Sequence, residues 1–279
     1  MSISQKQDRG APLADFVSGI DRFNASQANA PLLDAVRRYN HQVIDDLDRI
    51  RPLRGVRLLD VGASPHGYAL ERALARGVHR YVGIGLDIHE PRRVAGAAAS
   101  GELLAGNAEA LEFPDRSFDT IVTVSTFEHI ADLPRALSEL HRVLVPGGNA
   151  LATFEPLWTC SYGHHLHHFG AISSLIPDWA HLIWSEARMR EHLEGKWPAD
   201  APIGLEDALR WIYHGRDINR IGIVEMRRIM GTARLDLEWL VPIPDVARDA
   251  GQLGQAARAT GLLEADLMTR GFTAHFVRR

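Results

Sequence analysis

Two spacings of apolar residues alternate along this chain. Leu32, Leu33, Val36, Tyr39, Val43, Ile44, Leu47 and Ile50 recur at helical intervals and give one apolar face. Short continuous apolar runs follow, at about 56–61, 81–86, 118–124 and 149–155, each set off by glycine, proline or an acid. Runs of that length predict strands covered on both faces. Between them, about 67–77 and 132–144 predict helices, the second N-capped by Asp132 with Pro134 in its first turn. A short helix is expected through Ala95–Ala99 and a weaker strand near Glu102–Ala105. Strands that alternate with helices predict an α/β fold with a doubly wound, mostly parallel sheet, whose ligands bind beyond the strands' carboxyl ends.

The pattern changes after Glu155. Five of the six tryptophans (Trp158, Trp179, Trp184, Trp197 and Trp211) crowd into residues 158–211, with a histidine run beside them. An aromatic segment at that point suits a cap over a small-molecule pocket; a packing subdomain with tryptophans in its own core is the plainer reading. Beyond it, Asp217-Ile218-Asn219-Arg220 predicts a helix start, with an amphipathic run to Met230. Alternation over 233–240 predicts a strand ended by Pro242 and Pro244. A helical excursion over about 245–269 then leads to a last strand, 272–277. Four segments result: a helical segment at 1–50, a core at 51–155, a cap at 156–215 and a completion of the core at 216–279.

Composition narrows the chemistry. With 46% hydrophobic residues in 279, the chain can bury a sizeable core. A net charge of −4 leaves no electrostatic footprint for nucleic acid, so a small-molecule partner is expected. Lysine occurs only at Lys6 and Lys196, which fits a codon bias better than a phosphate-binding device. Cys160 is the only cysteine, so no intramolecular disulfide can form. No apolar run nears bilayer length, and Met1–Arg9 is polar without an apolar stretch behind it. These features make the cytoplasm the expected location, with no membrane contact; the oligomeric state is left open.

The turn after the first strand carries the most specific chemistry. Leu58-Leu59-Asp60-Val61-Gly62-Ala63-Ser64-Pro65-His66-Gly67 runs from an apolar strand into a glycine turn, and Asp87 closes the next apolar run. Glycine there lets the backbone approach a ligand closely, and an acid at the second strand's end can accept both hydroxyls of a ribose. Both features also belong to dinucleotide sites. Those need G-x-G-x-x-G to seat a pyrophosphate, however, and here Ser64 and Pro65 interrupt the glycines.

The order of motifs resembles the class I S-adenosylmethionine-dependent methyltransferases, closest to the type 11 group. Gly106-Asn107-Ala108-Glu109, Phe113-Pro114-Asp115-Arg116-Ser117-Phe118-Asp119, Phe127-Glu128-His129-Ile130 and Leu144-Val145-Pro146-Gly147-Gly148 follow in the family's sequence over roughly residues 50–155. The resemblance implies a Rossmann-like sheet of seven strands, the last antiparallel, with a cap inserted after strand five. It implies S-adenosyl-L-methionine as cofactor and S-adenosyl-L-homocysteine as product. By position it gives cofactor contacts to Asp60, Gly62, Ala63, Ser64, Gly67, Asp87, Ile88, Asn107, Ala108, Glu109 and Ser125. The chain departs from the family at the first turn, where Ser64 and His66 occupy glycine positions. Serine is small enough for close approach; His66 either points away or touches the methionine end.

Two histidines are candidates for catalysis. Transfer of a sulfonium methyl requires an aligned nucleophile and exclusion of water, and an oxygen nucleophile must also lose its proton. His129 lies just after strand four and His165 in the cap's histidine run, and imidazole suits that task at neutral pH. The run Ser161–Phe169 also admits a metal reading, with His164 and His168 on one face and Glu128, Glu155 or Asp178 brought in by the fold. Gly163 and Gly170 disfavour the helix this requires, so no metal ligands are assigned. The expected activity is O-methylation of a small polar metabolite, such as a sugar or specialised-product hydroxyl. N- or C-methylation, or a non-catalytic cofactor-binding partner subunit, are the alternatives.

Overall fold

The structure, a computed structural model, describes residues 30–96, 99–166, 172–201, 203–246 and 250–279. Eight strands form one sheet: β1 (Arg57–Val61), β2 (Arg80–Gly85), β3 (Arg92–Ala95), β4 (Ser100–Ala105), β5 (Phe118–Val124), β6 (Leu144–Phe154), β7 (Asp236–Pro244) and β8 (Thr269–Val277). Their order is β3-β4-β2-β1-β5-β6-β8-β7. The five from β4 to β6 run parallel, while β8 pairs antiparallel with both β6 and β7.

Both faces are covered, which explains the continuous apolar runs. Neighbouring residues on a strand point to opposite faces. Leu58, Tyr81, Val122 and Leu151 therefore join a core under α1 (Ala30–Ile50) and α2 (Tyr68–Ala75). Leu59, Val82, Ile121 and Ala150 join the opposite core, under α3 (Leu133–Val143) and α7 (Ile223–Thr232). Asp132 caps α3 as expected, accepting Arg135 N–H at 3.0 Å. Helix α1 packs beside α2, and its Tyr39 hydroxyl meets Thr153 Oγ1 at 2.7 Å near the carboxyl end of β6.

Between β6 and α7 lie three more helices, α4 (Ala180–Ile183), α5 (Glu186–Leu193) and α6 (Leu205–His214), around a core of their own. Trp158 and Trp211 are buried in that core, and Trp179 packs fully buried beside Ala256 and Leu267. The plainer reading of these three tryptophans is therefore the right one: they pack the fold. Two helices, α8 (Ala250–Thr260) and α9 (Glu264–Leu267), precede β8.

Four expectations need correction. The sheet has eight strands because Arg92–Ala95 pairs antiparallel with β4, where a helix through Ala95–Ala99 was expected. Ala95 ends that strand, and Ala97 and Ala98 of the expected helix lie outside the described residues. The helix expected at Asp217 starts at Ile223: Asn219 Nδ2 instead donates to Phe127 O at 2.7 Å and Ile130 O at 3.2 Å, and Asp266 Oδ1 accepts Val224 N–H at 2.9 Å. Pro242 and Pro244 lie inside β7 rather than ending it, paired with Phe272 and Thr269. An edge strand tolerates proline because its outer N–H groups need no partner. The excursion after 245 is two helices, broken at Gly261 with φ +70°.

Candidate functional site

The strand order reverses at β1, with β2 and β4 to one side and β5 and β6 to the other. Loops from neighbouring strands diverge at such a switch point and leave a crevice at the carboxyl edge. The turns after β1, β2 and β5 meet there. Gly62 N and Ala63 N both donate to Ile84 O at 2.8 Å, folding the first turn across the end of β2. Gly62 has φ +86°, and a Cβ on it would lie 2.0 Å from Thr126 Oγ1, so the turns after β1 and β5 touch through the glycine. Ser125 stands exposed beside them with φ 48°, its N–H held by Thr153 O at 2.7 Å.

Asp87 is exposed at the same edge. A Cβ on Gly85 would lie 2.9 Å from Asp87 Oδ1 and 2.8 Å from Ala63 O, so the carboxylate folds back beside the first turn. Among the described residues it makes no ion pair, which leaves its oxygens available as acceptors. Gly67, with φ +73°, starts α2. Ile88 is buried, and Ala108 is half-buried.

Several predicted contacts have other partners. Asp60 is 2% exposed and accepts the Tyr81 hydroxyl from within the sheet, supporting the turn from beneath. Asn107 Oδ1 accepts Glu109 N–H at 2.9 Å, and Glu109 Oε1 takes the N–H of Asp132 at 3.0 Å, tying that loop to α3. Ser64 Oγ accepts His66 N–H at 3.2 Å, and the exposed His66 ring stacks on Tyr68 at 5.3 Å.

Burial pushes the Asp60 carboxyl up to about 7 from 3.8, with the Tyr81 hydrogen bond partly opposing it. A proton is thus held more tightly in the fold than in the unfolded chain. Its effect on stability is most favourable below about pH 4 and is lost as pH rises toward about 7. Asp60→Asn is expected to flatten part of that decline. Denaturation midpoints of both proteins across this window check it; parallel curves would contradict it.

The two predicted histidines come together. The single-turn 3₁₀ helix Phe127–His129 follows the Ser125 turn and carries Glu128 inward, 2% exposed, and His129 outward. From the cap, a turn with His165 at φ 61° brings that ring, 4% exposed, to 5.6 Å from the His129 ring. One ligating atom from each of Glu128, His129 and His165 lies within 4.8 Å of the others. His129 Nδ1 sits 2.9 Å from Asp217 O and His165 Nδ1 2.6 Å from Gly163 O. A carbonyl oxygen only accepts, so both Nδ1 atoms carry a proton, and the neutral form of each ring places its lone pair on Nε2. Burial, reinforced by Glu155, pushes the Glu128 carboxyl up to about 8.

The remaining histidines of the cap divide otherwise. His164 Nδ1 accepts Leu166 N–H at 3.1 Å, and burial drives His181 down to about 4 while Trp158 O holds its Nε2 at 2.8 Å. His168, and with it a shared face with His164, lies outside the described residues. Glu128, which the sequence reading did not name as a catalytic candidate, lies in the same cluster as the two histidines. Its place directly after a parallel strand, at the carboxyl edge, was the available signal.

Residues 59–152 match the family model described as a methyltransferase domain. A ubiquinone/menaquinone biosynthesis C-methyltransferase of Methylobacterium nodulans is 36% identical over 110 residues, covering 37% of this chain and 42% of that protein. An uncharacterised methyltransferase of a Mycobacterium species is 33% identical over 174 residues, covering 59% and 66%. The chain thus spans less than two thirds of the length of either relative. A putative methyltransferase of Haloferax volcanii, solved in complex with the Trm112 methyltransferase activator, superposes with a TM-score of 0.51 at 17% identity, covering 93% of this chain and 97% of that one, and it shares the fold. Residues 59–152 of this chain are thus similar to the methyltransferase domain of the type 11 group of class I S-adenosylmethionine-dependent methyltransferases.

Proposed function

We propose that this protein transfers the methyl group of S-adenosyl-L-methionine to a hydroxyl of a small polar metabolite. The observation that carries this reading is the convergence of His129, His165 and Glu128 at the carboxyl edge of β5, beside the turns that face Asp87. The cofactor supplies an already electrophilic methyl. The residues at the edge suit it: an exposed carboxylate folded toward the first turn can accept ribose hydroxyls, and the interrupted glycine pattern does not build a pyrophosphate cradle. Two imidazoles with lone pairs on Nε2 offer seats for an electrophile at the acceptor oxygen, in the first instance its proton. Residues 156–215 act as the cap that positions the acceptor and excludes water. The strap at Asn219, whose N–H donates to Glu128 O at 2.8 Å, couples the end of the cap to the catalytic turn.

The net charge of −4 supports a small acceptor over nucleic acid. No helix among the described residues is long and apolar enough to cross a membrane. The C-methyltransferase relative favours a second reading, methylation at carbon. Incubation with the cofactor and a panel of hydroxylated metabolites separates the two: O-methylation gives S-adenosyl-L-homocysteine and an acceptor one methylene heavier, methylated at oxygen. A product methylated at carbon would overturn the O-methylation reading.

A further inference from the structure

We infer that Glu128, His129 and His165 form a binding site for a divalent first-row transition ion, of the zinc class, with open positions toward the acceptor. The inference deepens the reading above and rests on it, with the ion rather than a proton as the electrophile between the imidazoles. Three kinds of observation carry it.

The first is the donor set. Two imidazole nitrogens and one carboxylate are the ligands of open catalytic zinc sites and of other first-row ions, whereas magnesium and calcium favour all-oxygen surroundings. Three protein ligands leave at least one position for another oxygen. The ligating atoms lie within 4.8 Å of one another, with His129 Nε2 3.9 Å from Glu128 Oε1. Metal bonds of this kind place tetrahedral ligands about 3.3 Å apart, so closure asks for side-chain shifts on the order of 1 Å.

The second is the orientation of the rings. Ligating histidines ordinarily donate their other N–H to a backbone carbonyl or carboxylate, which fixes tautomer and ring plane. Both rings do so here, through Asp217 O and Gly163 O. Gly163 lies near the start of the cap segment, and Asp217 just beyond its end.

The third is Glu128. Its Oε2 is buried and makes no hydrogen bond among the described residues, although a buried carboxylate oxygen ordinarily needs a partner. Arg270 is already engaged with Glu155 at 2.5 Å. The exposed His129 opens the cluster to solvent and gives an ion a route in.

The test uses the full, untagged chain. Elemental analysis after purification without chelator, and calorimetric titration of the stripped protein with Zn²⁺, are expected to give one ion per chain. Glu128→Gln and His129→Ala should each weaken Zn²⁺ binding by about a hundredfold, while His214→Ala, an exposed cap histidine outside the cluster, leaves it unchanged. His129 is exposed, so its replacement keeps the fold, which circular dichroism monitors. Absence of a stoichiometric site, or equal Zn²⁺ affinity in wild type and both cluster variants, overturns the metal site. Titration with S-adenosyl-L-methionine on the same samples tests the methyltransferase reading separately: zinc binding without cofactor binding would remove that reading and leave the ion site standing.

Discussion

His165→Ala is expected to lower turnover on the identified acceptor by about 10²–10⁴ while affinity for S-adenosyl-L-methionine stays within about twofold. The ring sits 4% exposed at the cap side of the cluster, 5.6 Å from His129, and among the described residues it makes no hydrogen bond to Asp87 or to the first turn. Its loss removes a seat for the electrophile at the acceptor oxygen without touching the nucleoside. Added imidazole should restore part of the rate, which a purely structural role would not allow. Full turnover in both His165→Ala and His129→Ala would show that the pocket works by positioning alone.

Gly163→Ala should cost on the order of 3 kcal/mol or more in folding stability. A Cβ at that position would lie 2.0 Å from Trp158 O and 2.6 Å from Leu157 O, both backbone atoms. No side chain can swing aside, so the turn itself must open. The same turn supplies the carbonyl that orients His165, and activity should fall with stability. Chemical denaturation monitored by tryptophan fluorescence reads the effect. A midpoint unchanged from wild type would mean that the turn after Trp158 is looser than the structure shows.

The sheet was legible in the sequence because both of its faces are covered: Leu58-Leu59, Tyr81-Val82 and Ile121-Val122 each send one residue to either core, so the strands read as unbroken apolar runs. The edges were not. Arg92–Ala95 is exposed along its whole length and carries no burial signal, and Pro242 and Pro244 look like breakers until β7 is known to be an edge. The helix start at Asp217 misled for a related reason. Asn219 has the chemistry of a cap, but its amide spans from the cap to the turn at 127–130, a partner some 90 residues away that local pattern cannot reveal.

The site was legible in part. Asp87 and the glycine turn follow from spacing, and His129 and His165 stood out as imidazoles near the expected crevice. Their meeting did not follow, because it depends on a left-handed residue at His165 and a glycine with no room for a side chain. Asp60 and Glu109 carry motif positions, yet Tyr81 and Asp132 occupy their carboxylates. A motif fixes where a residue stands along the chain; burial and neighbours decide what its side chain can still bind.

Calorimetric titration of wild type and Asp87→Ala with S-adenosyl-L-methionine tests the central claim most directly. The exposed carboxylate at the end of β2 should accept the ribose hydroxyls through charge-assisted hydrogen bonds worth about 1.5–3 kcal/mol. Wild type should bind one cofactor per chain, and Asp87→Ala should bind it about tenfold more weakly or worse. An Asn107→Ala control should lose less, since the backbone N–H of Ala108 remains. Unchanged affinity in Asp87→Ala, or no binding by the wild type, would contradict the account.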